Sequence, residues 1–131
     1  MVDHLMADAP SKTVLIADDD EDVRLVLGLP LEAAHYRIVE ASTGPEAVAL
    51  AKRERFDLIV MDWNMPGMTG AELLRTLHED VALKGVPIIV LTGQTSQSDV
   101  AQGRALGAYA YLIKPVPIRQ FLDTVRAALG A

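Results

Sequence analysis

The chain has 131 residues, no cysteine and a formal net charge of -6. That length suits one domain, able to bury about two-thirds of the surface its unfolded form exposes. The acidic balance argues against nucleic-acid or anionic-membrane partners, the lack of cysteine excludes a disulfide framework, and no apolar run approaches the roughly 20 residues of a membrane span. The start, Met1-Val-Asp-His-Leu-Met6, has neither the basic residues nor the long apolar stretch of a secretion signal, so a cytoplasmic location is expected.

Residues 1–11 read as a flexible lead-in and 12–131 as the folded domain, with no linker to a second one. The first strand is expected over Thr13–Ala17, and it ends in Asp18, Asp19 and Asp20. Val23, Val26, Leu27 and Leu31 then recur at helical spacing, with Pro30 placed where it should kink or interrupt that helix. A second strand, Arg37–Glu40, precedes a capping-box pattern, Thr43-Gly-Pro-Glu46. The third strand, Leu58–Met61, runs into Asp62 and the turn Asn64-Met-Pro-Gly67. A second capping box, Thr69-Gly-Ala-Glu72, opens a helix marked by Leu73, Leu74 and Leu77. The fourth strand, Ile88–Leu91, ends in Thr92, and the fifth, Ala110–Ile113, ends in Lys114. Pro117 suits the opening of the last helix, whose stripe is Ile118, Leu122, Val125 and Leu129.

Three of these strands are nearly continuous apolar runs, as a parallel sheet covered on both faces requires. Five βα units make a doubly wound fold, in which chemistry gathers beyond the carboxyl ends of the strands. Asp18, Asp19, Asp62, Thr92 and Lys114 all fall there. Like charges brought together cost free energy unless a proton or cation offsets them. Asp19 and Asp62 are candidate direct ligands of a hard cation, magnesium first and manganese second. Asp18 would join directly or through a water, and the backbone carbonyl of Asn64 would add a ligand. The competing role for the acids at the first strand's end is helix capping, which suits Asp20 best. With a metal present, the Asp62 carboxylate can attack phosphorus, while Thr92 donates a hydroxyl hydrogen bond and Lys114 a compact positive charge to the product. Lys114-Pro115 is a candidate cis peptide, since a bend at Pro115 would aim the lysine inward. Tyr111 carries an aromatic ring with a polar tip, able to turn in as Thr92 moves. Trp63, beside Asp62, is a candidate optical reporter. Gly93, Gln94 and Asn64 lie where they would influence the loops and any attacking water.

The blocks Val14-Leu-Ile-Ala-Asp-Asp-Asp-Glu-Asp-Val-Arg24, Asp57 to Gly70, Ile88-Ile-Val-Leu-Thr-Gly93 and Gly107 to Pro115 closely resemble the receiver domain of two-component response regulators. The resemblance covers Lys12 to Leu129 and implies a flavodoxin-like (βα)5 three-layer sandwich with strand order 2-1-3-4-5. It implies that Asp18 and Asp19 help hold magnesium, that Asp62 is phosphorylated, and that Thr92, Lys114 and Tyr111 form the switch. A sensor histidine kinase or histidine phosphotransfer protein is the implied donor. The last two helices and the strand between them are the implied output surface for a partner protein. The expected assembly is a monomer or weak homodimer, binding no nucleic acid directly and no membrane.

Five positions depart from the family's usual residues: Gly93 for alanine, Tyr109 and Ala110 for an acidic pair, Val116 for phenylalanine, and Pro30 within the first helix. None touches the reacting groups. The main alternative is an unphosphorylated interaction module that kept the fold. An aspartyl-phosphate hydrolase is disfavoured, because Trp63 and Asn64 follow Asp62 where a second acid would serve a leaving group; the chain is read as a signalling protein and not an enzyme.

Overall fold

In the computed structural model, residues 11–93 and 97–130 are described. The lead-in, apart from Ser11, and Gln94 lie outside them. Five parallel strands, β1 (Thr13–Ala17), β2 (Arg37–Ala41), β3 (Leu58–Asp62), β4 (Ile88–Thr92) and β5 (Ala110–Ile113), form one sheet in the order β2-β1-β3-β4-β5. This is the expected flavodoxin-like order. β2, β3 and β4 each reach one residue further than the sequence pattern indicated, so Asp62 and Thr92 close their strands and do not follow them.

The continuous apolar runs have a simple cause. Along each central strand alternate residues point to opposite faces, and both faces are covered. Leu15, Ile59, Met61, Ile88 and Val90 pack under α2 (Gly44–Arg53) and α3 (Gly70–Glu79), against Ala47, Leu50, Leu73, Leu74 and Leu77. Val14, Ile16, Leu58, Val60, Ile89 and Leu91 pack on the other face under α1 (Glu21–Ala33) and α5 (Ile118–Leu129), against Leu27, Leu31, Phe121 and Val125. The helix α4 (Gln97–Ala105) lies between β4 and β5 in the chain.

Helix ends follow local chemistry. Asp20 is the N-cap of α1 and accepts the Asp22 N–H at 2.9 Å. Thr69 and Glu72 form the complete capping box of α3. At α2 the expected box is only half made. Thr43 accepts the Glu46 N–H, but the Glu46 carboxylate reaches past Thr43 to the Ser42 N–H at 2.6 Å. That bond holds the Glu46 carboxyl below its ordinary value.

Pro30 corrects an expectation: it does not interrupt α1, which continues to Ala33. Ala34 still donates to the carbonyl of Pro30 at 3.1 Å. The missing proline N–H would have bonded the carbonyl of Val26, a residue 54% exposed on the outer side of α1. Pro117 is the N-cap of α5 and not its first helical residue.

Candidate functional site

Register assembles the site. Ala17 pairs with Met61, so the next residues, Asp18 and Asp62, stand side by side where β1 and β3 end. Asp62 pairs with Leu91 and Thr92 with Ile113, which sets Lys114 just beyond Thr92. The Lys114 N–H donates to the Thr92 carbonyl at 2.6 Å. The Lys114–Pro115 peptide is cis.

The charged groups converge as the sequence suggested. Carboxylate oxygens of Asp18, Asp19 and Asp62 lie within 4.8 Å of one another. Lys114 Nζ sits 2.8 Å from Asp18 Oδ2 and 3.3 Å from Asp62 Oδ2. Asp18 is fully buried and Asp62 is 6% exposed, whereas Asp19 faces solvent. Burial, reinforced by the charge of Asp18, pushes the Asp62 carboxyl above its ordinary value against the opposing pull of Lys114. Burial alone would lower the Lys114 ammonium. Its bond to Asp18 and the charges of Asp62 and Asp18 outweigh that and leave it raised.

Three carboxyl groups meet one ammonium in the cluster, so the acids outnumber their counter-charge. Hard oxygen donors in that excess fit a divalent cation such as magnesium. Asp18, Asp19 and Asp62 are the side chains that would hold it. Asn64 sits in the turn beside them, its N–H donating to Asp62 Oδ1 at 3.3 Å. It pairs with Thr69 in a two-residue antiparallel ladder that follows β3.

The remaining expected residues divide. Thr92 is fully buried at the same sheet edge. Tyr111 already lies inward: its hydroxyl is buried and its ring meets Trp63 edge-on, centroids 5.9 Å apart. Trp63 is buried, its backbone N–H donating to the Leu91 carbonyl at 2.8 Å. Gly93 is exposed, with open space where a side chain would stand. Gln94 falls outside the described residues.

Sequence reasoning missed Arg24. Its guanidinium donates to the Asp18 carbonyl at 2.6 Å and to Glu40 at 2.8 Å, bracing the β1 end against the β2 end. No spacing rule marks a residue one turn into a helix as the brace of the acid before it.

This geometry bears comparison with known proteins. The response regulator receiver domain family matches residues 14–126. The chain belongs to that family. Receivers are the phosphoacceptor switches of two-component signalling, and the acidic pocket that defines them is present here. The phosphate regulon transcriptional regulatory protein PhoB of Pseudomonas aeruginosa is 36% identical over 118 residues, 90% of this chain. The chain spans about half of that relative, 52% of its length. Protein PilH of the same species is 34% identical over 117 residues, 89% of this chain and 97% of PilH. Among solved structures, the chemotaxis response regulator CheY4 of Vibrio cholerae superposes with a TM-score of 0.86 at 36% identity, covering 92% of this chain and all of that one. The receiver domain of the sensor histidine kinase PA1611 of P. aeruginosa, solved with a magnesium ion in its active-site cleft, gives 0.84 at 27% identity, covering 93% of this receiver and all of that chain. Among the described residues, no helix is long and apolar enough to cross a membrane.

Proposed function

We propose that Asp62 is the phosphoacceptor and that its modification resets the face formed by α4, β5 and α5 for a partner protein. One observation carries this reading: a buried carboxylate, beside a second buried carboxylate and sharing its ammonium, at the carboxyl end of the central strand. In the transfer, an Asp62 oxygen attacks the phosphorus of a phosphohistidine on a sensor kinase or phosphotransfer protein. A P–O bond forms, the P–N bond breaks, and the imidazole leaves with a proton.

Asp18, Asp19 and the Asn64 carbonyl would hold magnesium with Asp62, or manganese in its place; the magnesium in the PA1611 receiver supports this. When bound, the cation supplies positive charge for the phosphoryl oxygens. Lys114 then exchanges its contact with Asp62 for one with the phosphoryl group, while Asp18 keeps it in place. The Thr92 hydroxyl donates to another phosphoryl oxygen. Tyr111 reports that engagement to the outer face, and Gly93, Gln94 and Asn64 bear on water access and so on phosphoryl lifetime. The cytoplasm, where kinase and partner meet, is the proposed location.

A small-molecule phosphodonor with magnesium tests this directly. Intact-mass measurement should show one phosphoryl group on the wild type and none on Asp62→Asn. No modification of the wild type, with donor and cognate kinase both tried, would leave the unphosphorylated interaction module as the better reading.

A further inference from the structure

Gly103 is a glycine that its helix does not need. It lies inside α4, where glycine is the poorest former after proline. Termination belongs to Gly107, whose φ is +102° and whose N–H closes back on Arg104. What Gly103 provides is room. A Cβ built there would stand 2.7 and 2.9 Å from Cε2 and Cδ2 of Tyr111, closer than carbon atoms approach without displacement. The Tyr111 ring also meets Trp63 in an edge-type contact, the centroids 5.9 Å apart. Trp63 is itself wedged under Gly70, the first residue of α3, where a Cβ would fall 2.5 Å from the indole. Two helices thus close on a pair of aromatic rings at points where neither helix carries a side chain.

We propose that Gly103 and Trp63 form a two-part seat that sets the inward position of Tyr111, making Gly103 the positioning residue that ties α4 to the Asp62 end of β3. Trp63 adjoins Asp62 directly and is bonded to β4, so a change at the acceptor reaches the indole first and Tyr111 next. The backbone of α4 at Gly103 rests on that ring and moves with it. The seat stands on packing alone; its part in signalling rests on the phosphoacceptor reading above.

Thermal unfolding of the full chain in four forms tests the seat. Alanine in place of glycine normally stabilises a helix. In the Tyr111→Ala background, Gly103→Ala should raise Tm by about 4 °C. With Tyr111 present, the same substitution should lower it, because the methyl group and the ring compete for one place. The same sign in both backgrounds would overturn the proposal. Should Tyr111→Ala lack a cooperative transition, a nuclear Overhauser contact between the Tyr111 and Trp63 rings decides: present in wild type and lost in Gly103→Ala, with persistence overturning it. For coupling, Gly103→Ala should accept a phosphoryl group at Asp62 as the wild type does. Its α4 amide shifts on adding magnesium and beryllofluoride should shrink at least twofold. Undiminished α4 shifts would overturn the coupling. A wild type that takes neither phosphoryl group nor beryllofluoride would strike the phosphoacceptor reading and leave the seat standing.

Discussion

Asp57 and Asp62 stand at opposite ends of one strand and do different work. Asp57 precedes β3, faces solvent, and bonds the backbone of Thr13. Its Oδ2 accepts the Thr13 N–H at 2.7 Å and its own N–H donates to the Thr13 carbonyl at 2.8 Å. Asp62 closes β3, is buried, and spends its oxygens on the Asn64 N–H and the Lys114 ammonium beside a second carboxylate. The same side chain is a structural clip where it bonds the backbone, and at the other end burial and like charge leave it raised, as the reactive role proposed above requires.

The widest gap between the two ends is chemical. Asp62→Asn should abolish phosphoryl uptake, whereas Asp57→Asn should leave it intact, read by intact mass. Next comes the counter-charge. Lys114→Ala leaves the buried Asp18 carboxylate facing Asp62 without its ammonium. Because the Lys114 side chain stays 26% exposed, the cost should be about 2 kcal/mol by urea unfolding, below the roughly 3–5 of a fully buried pair. At the other end, Asp57→Ala removes one hydrogen bond to the first residue of β1 and should cost about 1 kcal/mol.

The smallest difference is in pH dependence. Below about pH 4, the unfolded value of an aspartate, the Asp62 carboxyl is protonated in both states and contributes nothing. Above its raised folded value it is ionised in both, and the folded state bears the whole penalty. Stability from this group therefore falls as pH climbs through that window. Asp62→Asn should flatten the slope and raise stability at pH 7, read by urea unfolding without magnesium.

Much of this was readable because strand ends announce themselves: apolar runs broken by Asp18, Asp62, Thr92 and Lys114 locate the site edge without coordinates. The capping role of Asp20 followed from its place before the α1 pattern. The Lys114–Asp18 bond did not, since it joins residues 96 apart in sequence and depends on sheet register. α4 gave no stripe to read, because over Gln97–Ala105 only Val100 and two alanines are apolar. Pro30 misled because its cost depends on where the Val26 carbonyl points, a tertiary fact. The inward ring of Tyr111 was hidden for the same reason, since the room for it comes from Gly103 on another element.

The central claim is that Asp18, Asp19 and Asp62 act as one cation-binding site at one end of β3, with Lys114 as their counter-charge. A magnesium titration followed by backbone amide shifts tests it most directly. Residues 18, 19 and 62–64 should shift saturably while Thr13 and Asp57 stay still, and Asp19→Asn should weaken the response. Shifts that fail to saturate at the Asp62 end, or that are equal at both ends, would contradict it.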